Sequence, residues 1–206
     1  MRYYIADCHF FHRSLNDRMD CRGFESAEAM NEYMIAKWNA KVRPNDEVVV
    51  LGDFSYGTAE ETDAVLKRLK GRLYLVEGNH DAPSAKNPRF VWVLPYKELH
   101  DNGRKVVLSH YPIMCYNGQY RISASGKPRA YMLYGHVHDS FDQRLLEKFQ
   151  AITRATKREI YGHEEPVPIP CNMINCFCKY SDYTPLSLDE WIENDLARRA
   201  AASPEA

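Results

Sequence analysis

Leu75-Val76-Glu77-Gly78-Asn79-His80-Asp81 is an apolar run that stops at a glycine and then presents three polar side chains in succession. Gly78 can take backbone angles closed to other residues, so a strand ending here can turn sharply and leave Asn79 and His80 pointing away from the sheet. By itself the segment reads as a generic turn more readily than as a site. Its weight comes from repetition. Four further apolar runs end in metal-capable side chains: at Asp7 and His9, at Asp53, at His110, and at His136 and His138.

The 206 residues are 45% hydrophobic with a formal net charge of -1, which predicts one globular domain over residues 1–206 with a sizeable core. Balanced charge argues against a protein that holds nucleic acid or membrane by bulk field, while leaving room for a local basic loop. No run approaches the ~20 apolar residues needed to cross a bilayer, and residues 1–7 contain no long apolar segment, so a cytoplasmic protein is expected. The six cysteines, Cys8, Cys21, Cys115, Cys171, Cys176 and Cys178, are expected as free thiols. Cys176 and Cys178 have the spacing of two strand residues on one face, but a zinc ion there would need two further ligands that the sequence does not assign.

Around the opening segment, residues 2–6 read as a first strand that delivers Asp7 and His9. At strand spacing, residues i and i+2 project to one side, so a carboxylate and an imidazole converge. His12 reads either as a supporting or phosphate-contacting group or as a loop histidine without a role. Ser26 can cap a helix to about residue 42, and residues 47–51 form a continuous apolar run of the kind buried on both faces, ending at Gly52-Asp53. Thr58 and Glu61 have capping-box spacing, and the strand, helix, strand alternation through residues 73–76 implies parallel pairing. Residues 91–94 and 96–100 read as strand pieces, Asn102-Gly103 as a hairpin turn, and residues 105–108 as the strand leading to His110. The polar stretch 113–129 is mobile or functional by its length and composition. Arg121, Lys127 and Arg129 lie between the strand ends that carry His110 and His136, and read either as contacts to the non-reacting part of an anionic substrate or as a solvated surface loop. Residues 131–134 restore a strand, 143 to about 160 a helix, and 173–177 a last strand. Ser187 and Glu190 cap a C-terminal helix, and a disordered tail is expected at about 200–206.

Ligands at the carboxyl ends of strands in an open sheet face one crevice. The groups collected in this way exceed what one octahedral ion uses, whereas two ions sharing one carboxylate account for them. Hard oxygen and imidazole donors suit manganese, iron or zinc rather than calcium.

The ordered set Asp7-x-His9, Gly52-Asp53, Gly78-Asn79-His80-Asp81, His110 and Gly135-His136-x-His138 resembles the calcineurin-like metallophosphoesterase superfamily over residues 7–138. The resemblance implies an α/β fold, a four-layer α/β/β/α sandwich of two mixed β-sheets flanked by helices. It implies two divalent transition-metal ions, manganese foremost, with iron, zinc or nickel as alternatives. Asp7, His9 and His138 would bind one ion, Asn79, His110 and His136 the other, and Asp53 both. His80 would donate a proton to the leaving oxygen and Asp81 would orient it. The implied activity is hydrolysis of a phosphate ester by a hydroxide held between the ions, with a diester favoured over a monoester. A metal-free interaction module is the remaining alternative, and the complete ligand set argues against it. The Ser/Thr protein phosphatase branch carries an arginine after its Gly-Asp and a glutamate after its Gly-Asn-His; Phe54-Ser55-Tyr56-Gly57 and Asp81 depart from both. The start Cys8-His9-Phe10-Phe11-His12 looks more like the small bacterial and phage phosphoesterases than the nuclease members with their added domain.

Overall fold

Val48 and Val50 face one apolar layer while Val49 and Leu51 face another, and this alternation within a doubly buried strand sets the architecture. The computed structural model describes residues 1–159 and 164–202. The first sheet has the order β1 (Arg2–Ile5), β2 (Glu47–Val50), β3 (Arg72–Val76), β4 (Phe90–Leu94), and every neighbouring pair in it is parallel. The helices α1 (Ala27–Lys41) and α2 (Ala59–Arg68) make the crossovers β1 to β2 and β2 to β3. Both start where sequence chemistry directs. The Ser26 hydroxyl accepts the Ala29 N–H at 3.0 Å, and Thr58 with Glu61 forms a full capping box.

The second sheet contains β5 (Tyr96–Asp101) and β6 (Arg104–Ser109), joined as an antiparallel hairpin, and then β7 (Ala130–Tyr134), parallel to β6. After α3 (Phe141–Ala155), a ribbon of β8 (Lys157–Arg158) and β9 (Val167–Pro168) leads to β10 (Met173–Asn175), which pairs in parallel with β7. The order is therefore β10-β7-β6-β5. Only this second sheet is mixed; the first is wholly parallel, because each of its connections crosses back to the starting edge. The C-terminal α4 (Leu188–Ala202) begins at the Ser187/Glu190 box.

Three apolar layers hold the sandwich together. Trp38, Met34 and Leu66 from α1 and α2 cover one face of the first sheet at Val48, Val50, Leu73 and Leu75. Val49, Leu51 and Val76 meet Val106, Leu108 and Leu133 between the sheets, where Leu188 and Trp191 of α4 close the edge. Val107, Met132 and Tyr134 pack on the other side of the second sheet with Leu146 of α3. Each such fully buried aliphatic side chain contributes roughly 1.5–3 kcal/mol.

Local expectations changed in five places. A single π-helical turn at Leu15–Met19 and a short 3₁₀ turn at Ser84–Lys86 occupy segments without a periodic signal. Helix α3 ends at Ala155; residue 160, to which the sequence pattern extended it, lies outside the described residues. Helix α4 continues through Ala202, and residues 203–206 lie outside the described residues. Cys176 and Cys178 do not share a face. The strand stops at Asn175, Cys176 enters the layer between the sheets, and Cys178 opens a 3₁₀ turn in the outer layer of the first sheet. All six cysteines are free, and burial raises the pKa of Cys8, Cys171, Cys176 and Cys178, which keeps them as thiols.

Candidate metal centre

The strand ends deliver the polar groups through a bent backbone rather than a continued strand. β1 stops at Ile5, and Asp7 and His9 both adopt left-handed backbone angles, φ 56° and 48°. Their i, i+2 spacing thus brings them together by curling the chain, not by strand alternation. Asp53, His136 and His138 are left-handed as well, at 53°, 70° and 47°. For residues with a Cβ this conformation costs roughly 1–2 kcal/mol each, and such strain persists where the surroundings over-determine it. Backbone pairing does that here. Asp7 N–H donates to Gly52 O (3.0 Å), His9 N–H to Asp53 O (2.9 Å), and Gly135 N–H to His110 O (3.0 Å), so the β1–β2 and β6–β7 pairs each continue as a pair of loops. Gly78 is needed for space rather than for its backbone angles, since a Cβ there would lie 2.4 Å from Asp53 Oδ1. Gly52 needs both: its φ is 86°, and a Cβ would lie 2.2 Å from His110 Nδ1.

Asp7, His9 and His138 bring one donor atom each to within 4.8 Å of one another, as do Asp7, Asp53 and His110. Asp53 Oδ2 lies 3.4 Å from His9 Nε2 and 3.6 Å from His110 Nε2. Asn79 Oδ1 stands 3.1 Å from His110 Nε2 and 3.0 Å from His136 Nδ1. All the sequence-predicted ligands, Asp7, His9, Asp53, Asn79, His110, His136 and His138, therefore meet in one cluster, with the Asp53 carboxylate reaching both sides of it.

The donor set fits cations on physical grounds. His110 Nδ1 faces the Leu51 carbonyl at 2.9 Å, which can only accept, so the ring proton sits on Nδ1. Burial lowers the His110 pKa and keeps the ring neutral, leaving an unprotonated Nε2 turned toward two acceptors, Asn79 Oδ1 and Asp53 Oδ2. His9 is buried with neither ring nitrogen hydrogen-bonded, and burial holds it neutral too. Asp7 and Asp53 are buried, and no Lys or Arg side chain among the described residues pairs with either carboxylate. Acceptors crowded together with backbone N–H donors from His80 and His136 but no cationic side chain are stabilised by a cation. Desolvation pushes the Asp7 carboxyl up to about 7, against the His138 charge and the His136 N–H that pull it down.

Four further residues complete the site without a signal in the sequence. Asp20 accepts from His138 Nδ1 at 2.8 Å, fixing the tautomer that turns Nε2 toward Asp7. That hydrogen bond and the Asp7 charge raise the His138 pKa although burial opposes it. Arg22 is buried and donates to the carbonyls of Asp7 (2.9 Å) and Cys8 (2.7 Å) and to the Asp20 carboxylate (2.9 Å), tying the first loop to the second contact of His138. Phe177 stacks on the His138 ring at 4.7 Å, and Asn175 Nδ2 donates to the His138 carbonyl. Asp20 and Arg22 flank an irregular turn, where no period marks which side chains point inward.

His80 is exposed at the rim, its ring 5.5 Å from His9 and its N–H donating to Asp53 Oδ1 at 2.9 Å. Asp81 is a correction to the role drawn from the resemblance. Its carboxylate accepts three backbone N–H groups, from Asp53 (2.7 Å), Phe54 (2.8 Å) and Gly78 (2.8 Å), and makes no hydrogen bond to the His80 ring. It braces two ligand loops against each other. Desolvation raises its pKa to about 6, and those amides hold it from rising further. His12 lies at the site, stacked on Tyr56 at 4.0 Å and lining the same cleft as His9 and His80.

Arg121, Lys127 and Arg129 are not at the site. β6 and β7 are parallel, so the segment leaving His110 must return to the opposite end of the sheet before β7 begins. Arg121 and Arg129 consequently line a separate cavity beside Lys105, at the amino end of β6, and Lys127 sits on the turn of the hairpin between them.

Residues 4–152 match the calcineurin-like phosphoesterase superfamily domain. The chain belongs to that superfamily. All of the clustered ligands fall inside the matched span, whereas Asn175 and Phe177, which steady His138, lie beyond it. The superfamily chain is 28% identical over 189 residues to an uncharacterized protein of Methanocaldococcus jannaschii, covering 91% of this chain and 86% of that one. It also superposes on the crystal structure of a protein of unknown function from Aquifex aeolicus with a TM-score of 0.63 at 21% identity, over 97% of this chain and 98% of that one. This second likeness shows the fold. Among the described residues no helix is long and apolar enough to cross a membrane.

Proposed function

We propose that the protein is a phosphodiesterase working with two divalent transition-metal ions, manganese foremost. The observation that carries the reading is the seven-residue cluster with the Asp53 carboxylate reaching both sides of it, set in a cleft of about 270 Å³. The choice of a diester rests on charge. The cleft is lined by Asp20, Asp139 and Asp142 and by no Lys or Arg. A monoester dianion brings more negative charge against those carboxylates than a diester monoanion does, with no guanidinium to receive it.

Asp7, His9 and His138 would hold one ion, Asn79, His110 and His136 the other, and Asp53 both. Bound metal supplies neutralisation of the phosphoryl oxygens and brings the pKa of water from 15.7 to about 7, so no side-chain base is required. The chain's own part is placement and proton delivery. Leu51 and Asp20 fix the tautomers of His110 and His138, and Asp81 locks the loops that carry Asp53 and Asn79. His80 is tethered by its backbone to Asp53 while its ring stands free at the rim, in reach of a leaving oxygen as general acid. His12 and Tyr56 form a flat wall beside it.

The test compares manganese-reconstituted protein on bis(p-nitrophenyl) phosphate and p-nitrophenyl phosphate, with metal content measured on the same samples. Close to two ions per chain and a preference for the diester are expected. A preference for the monoester would overturn the diester reading and leave the metal reading standing. Near-zero metal with unchanged thermal stability on adding it would sink the enzyme reading altogether.

A further inference from the structure

The cavity at the far end of the second sheet holds about 510 Å³, within the range of small-ligand sites, and among the described residues its lining includes no Asp or Glu. His100, Lys105, Arg121, Arg129 and Arg158 converge on it, with Tyr120 in the wall. Lys105 is matched by Glu98 at 2.6 Å, so its charge is largely spent. The arginines are different. Neither Arg121 nor Arg129 makes an ion pair with a described residue. Arg158 lies 3.9 Å over the Tyr120 ring, which holds its guanidinium in place without neutralising it.

Placement adds a second argument. Ile122 and Pro128 bridge the arms of a small hairpin, and Arg129 N–H donates to Arg121 O at 2.9 Å, so Arg121 and Arg129 are direct cross-strand neighbours. Like charges directly opposite destabilise a hairpin, and a bound counter-charge reverses the sign of that term. Guanidinium forks match phosphate oxygens two at a time. Several unneutralised arginines facing one cavity therefore suit an anion with more than one phosphate. The reacting centre is remote: Lys105 and His110 stand at opposite ends of β6, roughly 16 Å apart at the usual strand rise.

We propose that this cavity is a second ligand site, separate from the metal centre, that takes a small anion carrying two or more phosphate groups. Inorganic polyphosphate and a nucleoside polyphosphate share that chemistry.

Calorimetric titration with sodium tripolyphosphate, on metal-loaded and on metal-stripped protein, tests it. Binding is expected in both, because the site does not use the ions, and it should weaken with rising salt. Arg121→Gln with Arg129→Gln should weaken it about a hundredfold or more, since each replacement removes a charge-assisted contact worth about tenfold. Arg158→Gln should weaken it as well, and serves alone if the double variant does not fold. A parallel titration with ATP separates the sources: tighter binding than tripolyphosphate assigns a nucleoside polyphosphate, and equal or weaker binding assigns the inorganic chain. No binding by the wild type at millimolar tripolyphosphate ends the proposal. So does binding that survives the arginine replacements, binding lost when metal is stripped, or a clear preference for a single-stranded oligonucleotide over either small anion.

Discussion

At the carboxyl ends of β6 and β7 the chain sets His110, His136 and His138 over buried Asp7 and Asp53, while at the amino ends of the same strands it sets Arg121, Arg129 and Lys105 around an open cavity. The first region is built from left-handed backbone, close glycine contacts and side chains whose own hydrogen bonds fix their tautomers. The second is built from exposed side chains on a hairpin with ordinary turns. The difference shows how a parallel sheet sorts chemistry. Strand ends that point one way collect ligands from distant parts of the sequence, and the crossovers that return carry whatever lies between them to the other end. Spacing along the chain therefore predicts convergence at the first region and misleads about the second.

The largest effect expected from that division is at Asp53, whose Oδ2 lies 3.4 Å from His9 Nε2 and 3.6 Å from His110 Nε2. Asp53→Asn should lower metal content below that of the wild type and reduce kcat/KM by roughly 10³-fold or more, several kcal/mol of barrier. Full metal occupancy with modest kinetic change would show that the two sides of the cluster do not share this group. His80→Ala comes next. It should retain both ions and lower kcat by roughly 10² to 10⁴, with the loss shrinking for a nitrophenolate leaving group that needs no proton. An ion lost with His80, or equal slowing of good and poor leaving groups, would move His80 out of the general-acid role.

Why one end of the molecule was legible in the sequence and the other was not follows from what leaves a periodic trace. Residues 47–51 and 73–76 announce buried strands by unbroken apolar runs, and Ser26, Thr58 and Ser187 announce helices by capping chemistry, so the elements and their parallel pairing could be read from the residues, while the layering came from the family resemblance. Asp7, His9, Asp53, Asn79, His110, His136 and His138 stand at the ends of those runs, and topology alone gathers them. Asp20 and Arg22 follow a π-helical turn that no pattern marks, and they act through contacts to residues far away in sequence, at His138 and at the Asp7 carbonyl. The role of Asp81 was misread because adjacency to His80 suggested a side-chain partner, whereas its carboxylate turns back to three amides. The basic residues at 121–129 were misplaced because flanking two ligand-bearing strand ends in sequence is not the same as lying near them when the strands are parallel.

Asp20 offers a finer cut within the metal end. It touches no predicted ion position and acts by orienting His138, so Asp20→Asn should weaken metal binding by about 10- to 100-fold and leave the leaving-group dependence intact. Metal titration followed by activity at saturating manganese separates the two; full recovery of kcat is the expected outcome. The same pair sets a pH dependence. Asp7, the carboxylate that His138 Nε2 faces, is raised to about 7, so below about pH 7 that carboxyl in the metal-free cluster holds a proton that metal must displace. Affinity should therefore rise with pH up to that region and fall below it by roughly tenfold per unit, one proton being released on binding. Calorimetry in buffers of different ionisation enthalpy counts that proton, and a pH-independent affinity between 5 and 7 would remove it.

The smallest expected effect is the one that bears most directly on the separation of the two ends. Arg121 and Arg129 share no hydrogen-bond partner with any of the clustered ligands, and β6 stands between them and His110 as a rigid, buried strand. Changes at sites more than about 7–10 Å apart without shared partners combine to within about 0.3–0.5 kcal/mol, close to twofold in a rate. Neither arginine lines the cleft of the metal cluster, so replacing both by glutamine should leave kcat/KM for a small diester near the wild-type value. Combined with Asp20→Asn, the two perturbations should add. If the arginine change alone slows a small diester tenfold, or deepens the Asp20→Asn defect beyond the sum, the far cavity communicates with the metal centre along β6. The two ends would then be one device rather than two.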